Sequence, residues 1–162
     1  MKIQTKIVKR RRREGKTDYR RRLVLLKAKA PRLVIRKSNR YIKLQLVESK
    51  KAQDKINLSL STKELLKYGW PREKSGSLKS VGASYLVGYL IGKKIHSSKE
   101  KIIVDIGLTP HTKGSRVYGA VKGAIDAGLK IAFDVKAAPE KERIERYDFF
   151  KKVKGEIEKI KQ

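Results

Sequence analysis

Cysteine is absent from this 162-residue chain. That removes disulfides, thiolate nucleophiles and every cysteine-based zinc site at once, and it suits a reducing compartment. Only two histidines occur, His96 and His111, which disfavours a histidine-built metal centre. The longest uncharged run, Ser80–Gly92, is too short to span a bilayer. Met1–Arg13 lacks the apolar core of a signal peptide. Acids are scarce too: 16 Asp+Glu stand against 43 Lys+Arg, a net charge of +27. Transmembrane, secreted and metal-dependent readings are therefore disfavoured, and neither cofactor nor metal is expected.

What is present is positive charge on a chain able to fold. At 39% hydrophobic residues the sequence is too apolar for a simple disordered tail, and its length fits one domain. So large a surplus repels itself unless a polyanion normally lies against it. The surplus is uneven. Residues 1–50 hold 19 basic and 3 acidic side chains, whereas residues 140–162 hold 8 and 6.

Residues 1–16 read as an extended basic arm. The run Lys9-Arg10-Arg11-Arg12-Arg13 cannot pack a core; it is either a solvated tail or localisation signal, or an arm that orders along a nucleic-acid backbone. A short helix follows, capped by Thr17 or Asp18, striped by Tyr19, Leu23 and Leu26, and stopped by Pro31. Arg20, Arg21 and Lys27 fall off that stripe.

Three alternating runs, Arg32–Ser38, Tyr41–Glu48 and Lys55–Leu60, predict an antiparallel meander buried on one side. A turn at Asn39-Arg40 sets Leu33 against Leu46 and Ile35 against Leu44, and places Arg36 opposite Lys43 on the outer face. Ile56, Leu58 and Leu60 are expected inward. Like charges directly opposite are destabilising. Either the two stems splay into water, or an anion lies over that face.

Ser61 with Glu64 forms a capping-box pattern, and Gly69 ends that short helix. Trp70, the sole tryptophan, is a core anchor or a base-stacking plane. A long helix is predicted from about Ser77 to near Ile95, with His96 a structural residue at its end. Gly88 and Gly92 suit close helix–sheet packing better than a membrane dimer motif. Lys101–Gly107 reads as a strand covered on both sides. A helix from Arg116, stopped by Gly128, and a strand at Leu129–Phe133 then complete a right-handed βαβ unit. The C-terminal residues Ile144, Tyr147, Phe150, Val153, Ile157 and Ile160 predict a loose amphipathic helix, interrupted by Gly155 and docked as an appendage. The chain thus divides into an arm (1–16), an α/β domain (17–136) and a helical C-terminal extension (137–162).

The loop from Gly107 to Arg116 is the best local anion site, because a strand ends and a helix begins there. Thr112, Lys113, Gly114, Ser115 and Arg116 add hydroxyls, cations and a glycine, without the spacing of a Walker loop. Against that stands the bland alternative that many basic helix N-termini bind nothing. Asp105, with Glu48, Asp54, Asp126 or Asp134, could in principle form a two-metal nuclease site. The end of a buried, hydrogen-bonded strand is the better reading for Asp105.

Several of these segments together resemble one family. Arg32-Leu-Val-Ile-Arg-Lys-Ser-Asn-Arg-Tyr-Ile42, Val104-Asp-Ile-Gly-Leu108 and Lys113-Gly-Ser-Arg-Val-Tyr-Gly-Ala-Val-Lys-Gly-Ala-Ile-Asp-Ala-Gly-Leu129 are similar to the large-subunit ribosomal protein L-eighteen family. Ala83-Ser-Tyr-Leu-Val-Gly88, Tyr68-Gly-Trp70 and Arg11-Arg-Arg-Glu-Gly-Lys-Thr-Asp-Tyr-Arg20 resemble its archaeal and eukaryotic branch. The resemblance implies a non-catalytic, three-layer α/β domain with a ribonuclease-H-like mixed sheet. It further implies a cytoplasmic protein of the large ribosomal subunit that binds 5S ribosomal RNA. Its partners would be that RNA, the large rRNA, the bacterial-type L-five protein and other proteins of the central protuberance, with no membrane or small-molecule substrate. RNA contacts are then expected from Lys9, Arg10, Arg11, Arg12 and Arg13 in the arm and Arg20, Arg21 and Arg22 in the helix. The hairpin would supply Arg32, Arg36, Lys37, Ser38, Asn39, Arg40, Tyr41 and Lys43, and the loop Thr112, Lys113, Gly114, Ser115 and Arg116. Phosphate and 2′-hydroxyl contacts should dominate. A nuclease on the same fold and a general nucleic-acid packaging protein are the alternatives.

Overall fold

In the computed structural model, which describes residues 7–50, 53–95 and 101–160, the arginine run of the basic arm is helical rather than extended. Arg10–Arg13 form one helical turn, α1. Glu14 explains it: the acid lies 3.8 Å from Arg10 one turn back and 3.0 Å from Lys16, offsetting part of the local repulsion. Helix α2, Tyr19–Lys27, is capped by Asp18, whose carboxylate accepts from the Arg21 amide. Its packed face differs from the expected stripe. Leu23 is 53% exposed, while Arg22, Leu25 and Leu26 are half-buried. The helix is rotated because Arg21 and Arg22 are both drawn inward to acceptors.

The meander forms in the expected register. Strand β1 (Arg32–Lys37) pairs antiparallel with β2 (Ile42–Lys50), setting Leu33 against Leu46, Ile35 against Leu44 and Arg36 against Lys43. The third strand, β3 (Gln53–Ser61), departs at one point. Leu46 faces Leu58 but Val47 faces Ile56, so Asn57 is the extra residue of a bulge. A one-residue slip exchanges faces, and Ile56 is accordingly 54% exposed rather than inward.

Thr62–Tyr68 form a 3-10 turn closed by the Ser61–Glu64 capping box and by Gly69 at φ +89°. Trp70 is buried, its indole N–H donating to the Lys74 carbonyl and its ring edge-on to Tyr147 and Phe149. That settles it as a core anchor. Helix α3 (Val81–Lys94) starts later than expected, at the Ser80 cap, because a 3-10 turn occupies Arg72–Ser77. It is buried from Gly82 to Gly92. His96 lies outside the described residues.

Strand β4 (Ile103–Asp105) runs parallel to β1, giving the order β3-β2-β1-β4. Helix α4 (Arg116–Asp126) follows and ends before Gly128 at φ +103°. The expected strand at Leu129–Phe133 shrinks to one parallel bridge, Ile131 with Ile102. Phe133 turns instead onto Tyr118, and Asp134 caps a short turn over Val135–Ala137. The close approach at Gly88 is to a helix rather than to the sheet. A β-carbon at Gly88 would overlap the Ala120 carbonyl, and one at Gly123 would overlap the Tyr85 carbonyl. So α3 and α4 touch backbone to backbone.

The C-terminal residues form α5 (Lys141–Ile144) and α6 (Phe150–Glu158), with the break before Phe150 and Gly155 inside the second helix. Ile144, Phe150, Val153 and Ile157 are buried in the same apolar cluster as Leu33, Leu86 and Val121. With α3 and α4 on one sheet face and α2 on the other, the molecule is a three-layer α/β domain. Among the described residues no helix is long and apolar enough to cross a membrane.

Candidate nucleic-acid interface

The fold sorts the residues expected at the interface by what already occupies them. The first group is held internally. Arg32 is 2% exposed, its guanidinium donating to Asp54 at 2.8 Å, Ser49 at 2.7 Å and Asp105 at 3.4 Å. It cannot reach an RNA, and its assignment to the interface is corrected on that ground. Arg22 pairs with the other Asp54 oxygen at 2.7 Å. Arg21 donates to the Gly107 carbonyl and to His111 Nε2 at 2.8 Å. Since an arginine only donates, that ring nitrogen accepts, and Nδ1–H donates to the Tyr118 hydroxyl at 2.9 Å.

Arg36 is partly committed as well. It reaches the Asp105 carboxylate at 3.0 Å and the Asp105 carbonyl at 2.7 Å. Its repulsion from Lys43 therefore has an internal remedy, where the sequence offers only an external anion or water. Asp105 also accepts from the Gly107 amide, so two arginines and a backbone N–H surround one carboxylate. A donor shell of that kind opposes a divalent cation, and the nuclease alternative loses its central residue. The pKa of Asp54 lies below the usual carboxylate value. Burial alone would raise it, but hydrogen bonds from Ser49 and Arg22 and the charges of Arg32 and Arg22 outweigh burial.

The loop's backbone is also used. Gly114, at φ +65°, donates its N–H to the Ala137 carbonyl, and Ser115 donates to Thr112. The Ser115 hydroxyl caps α4 by accepting from Tyr118. The expectation that Gly114 and Ser115 amides meet a phosphate is therefore corrected. Ser38 closes the hairpin turn onto both backbone groups of Tyr41, whose ring is half-buried.

The second group faces outward. Arg12, Arg13, Arg20, Lys37, Asn39, Arg40, Lys43, Thr112, Lys113 and Arg116 are exposed, and none of their side chains makes an ion pair or hydrogen bond among the described residues. Lys9 lies over the Tyr19 ring, Arg10 faces Glu14, and Arg11 donates to Thr17, all at the surface. Two depressions adjoin on this surface, and of these groups Arg11, Lys37, Thr112 and Arg116 line them. One, of about 530 Å³, lies between the arm, α2 and the end of β1 and includes Arg11, Lys16 and Arg36. The other, of about 310 Å³, lies at the start of α4. Lys37, Thr109 and Pro110 line both, so the two adjoin.

Three residues gain roles that the sequence does not announce. Asp54 anchors two arginines rather than accompanying a nuclease acid, His111 bridges Arg21 to Tyr118, and Arg143 leaves the appendage for the groove. Each role depends on contacts with residues far away in the chain, which no local pattern carries.

An α/β domain with so large an excess of exposed cations, and with its best-placed carboxylate clamped by arginines, has the chemistry of a polyanion-binding surface. A family profile for "Ribosomal large subunit proteins 60S L5, and 50S L18" matches residues 2–101 and 96–134. The chain is 44% identical over 140 residues to the large ribosomal subunit protein uL18 of Korarchaeum cryptofilum, covering 86% of this chain and 70% of that one. The uL18 proteins of Methanoregula boonei and Methanococcoides burtonii are each 42% identical, across 83% and 86% of this chain and 76% and 79% of theirs. The chain belongs to this family: it is a structural component of the large ribosomal subunit, of archaeal type.

Proposed function

We propose that the chain binds 5S ribosomal RNA and helps attach it to the large rRNA in the central protuberance, beside the bacterial-type L-five protein. The observation that carries this reading is the pair of adjoining depressions lined by Lys37 and Arg116, cations without internal partners among the described residues, with Arg12, Arg13 and Arg20 exposed on the arm and α2. Such cations neutralise backbone phosphates and release counterions, which fits recognition by charge and shape. The arm, α2, the hairpin turn and the loop before α4 supply the contacts. Arg21, Arg22 and Arg32 hold those elements in place. A titration of the full chain against 5S RNA and an unrelated structured RNA of equal length tests the reading. Preference for 5S RNA at matched salt is expected; equal affinity for both points to general packaging of nucleic acid.

A further inference from the structure

The depression at the start of α4 is lined by cations from three separate parts of the chain. Lys37 comes from the end of β1, Arg116 from the first turn of α4, and Arg143 from α5 in the C-terminal extension. No carboxylate lines it among the described residues. The three side chains are exposed and make no ion pair or hydrogen bond among the described residues. This contrasts with the neighbouring depression, where Asp18 and Asp105 stand beside the cations.

Arg143 is brought there by packing. Ile144 is buried, and its carbonyl sits against α3 where a β-carbon on Gly82 would come within 2.6 Å. On the far side, a β-carbon at Gly114 would lie 2.9 Å from the Arg143 guanidinium. Two positions without side chains, one on α3 and one in the loop, thus admit α5 and its arginine. The loop amides of Gly114 and Ser115 are already bonded, so neither is available to an anion here. Three cations gathered without an acid repel one another, and an anion between them removes that cost.

We infer that Arg143 of the C-terminal extension, with Lys37 and Arg116, forms a phosphate-binding cleft for the RNA backbone. The extension is then part of the RNA-binding surface as well as of the core. Arginine suits the task because its planar fork can hold two phosphate oxygens. The inference rests on the proposed RNA-binding function and deepens it.

The test is a salt series of 5S RNA binding by the full chain. It compares the wild type, Arg143→Gln, Arg143→Lys and Lys151→Gln, the last an equal charge loss at an exposed position of α6. Arg143→Gln is expected to weaken binding roughly 5- to 20-fold near 0.1 M salt and to flatten the log K against log salt slope by about one. Arg143→Lys should recover the slope but only part of the affinity, and Lys151→Gln should change affinity less than about twofold. Circular dichroism and urea unfolding check that each variant is folded. If Arg143→Gln binds like wild type, or loses no more than Lys151→Gln, the cleft is overturned while RNA binding stands. If the wild type fails to bind 5S RNA above the control RNA, the proposed function fails and takes the inference with it.

Discussion

Arg36 and Asp105 lie on adjacent strands, and the arginine closes on the acid's carboxylate at 3.0 Å while also capping its carbonyl at 2.7 Å. Lys43, directly across from Arg36 in the antiparallel pair, has no such partner among the described residues. One cation of a repelling pair is tied down and the other is free. Arg36→Gln should therefore destabilise the domain, by about 1–3 kcal/mol for a buried carboxylate losing a charged donor. Lys43→Gln should leave stability unchanged or slightly raised, by a few tenths of a kcal/mol. Urea unfolding of the two single variants checks both signs.

Asp54 makes stability depend on acid. Its folded-state pKa is lowered below the usual value by Ser49, Arg22 and Arg32, against the upward pull of burial. A depressed carboxylate contributes stability that is fully present above its unfolded pKa, about 4, and lost as pH falls through the folded value. Unfolding free energy should thus drop as pH falls below about 4. Asp54→Asn should lower stability at pH 7 and reduce that slope; an unchanged slope removes Asp54 from the account.

The α3–α4 contact separates two kinds of glycine. Gly88→Ala should cost about 1–3 kcal/mol or more, since the added methyl meets the Ala120 backbone, which cannot move aside. At Gly155, inside α6, a methyl would project into open space with nothing within 4 Å. Gly155→Ala should accordingly raise stability by about 0.5–1 kcal/mol through helix propensity. Thermal melts of the two variants should shift in opposite directions.

His111 ties α2 to α4 by accepting from Arg21 and donating to Tyr118. His111→Ala should loosen α2 without touching the core. Amide exchange over Tyr19–Lys27 should quicken about fivefold if one hydrogen bond of ~1 kcal/mol is lost, with α3 unaffected.

The arm should contribute salt-sensitive affinity. Removing residues 1–16 is expected to flatten the salt dependence of RNA binding by about four to six phosphate equivalents. An unchanged slope identifies a free tail.

Much of the fold is legible in the sequence because it is periodic. Alternation in Arg32–Lys37 and Ile42–Lys50 fixes which side chains share a face, and one register buries Leu33, Ile35, Leu44 and Leu46 together. The caps at Asp18, Ser61 and Ser115 are local hydrogen bonds, so their residue types and spacing suffice to place them. The charge excess likewise follows from composition, and with it the polyanionic partner.

What the tertiary structure decided is which cations are spent. Arg20, Arg21 and Arg22 are equivalent as residue types in one run. Yet Arg20 faces solvent, Arg21 reaches Gly107 and His111, and Arg22 reaches Asp54. Arg32 and Arg36 share a strand and a chemistry, but one is buried with two acids and the other half-exposed against one. The arrival of Arg143 at Gly114 is of the same kind. Each depends on the distance between groups many residues apart. Electrostatic energy is set by that distance and by the water excluded between the charges, and neither quantity exists until the chain has folded.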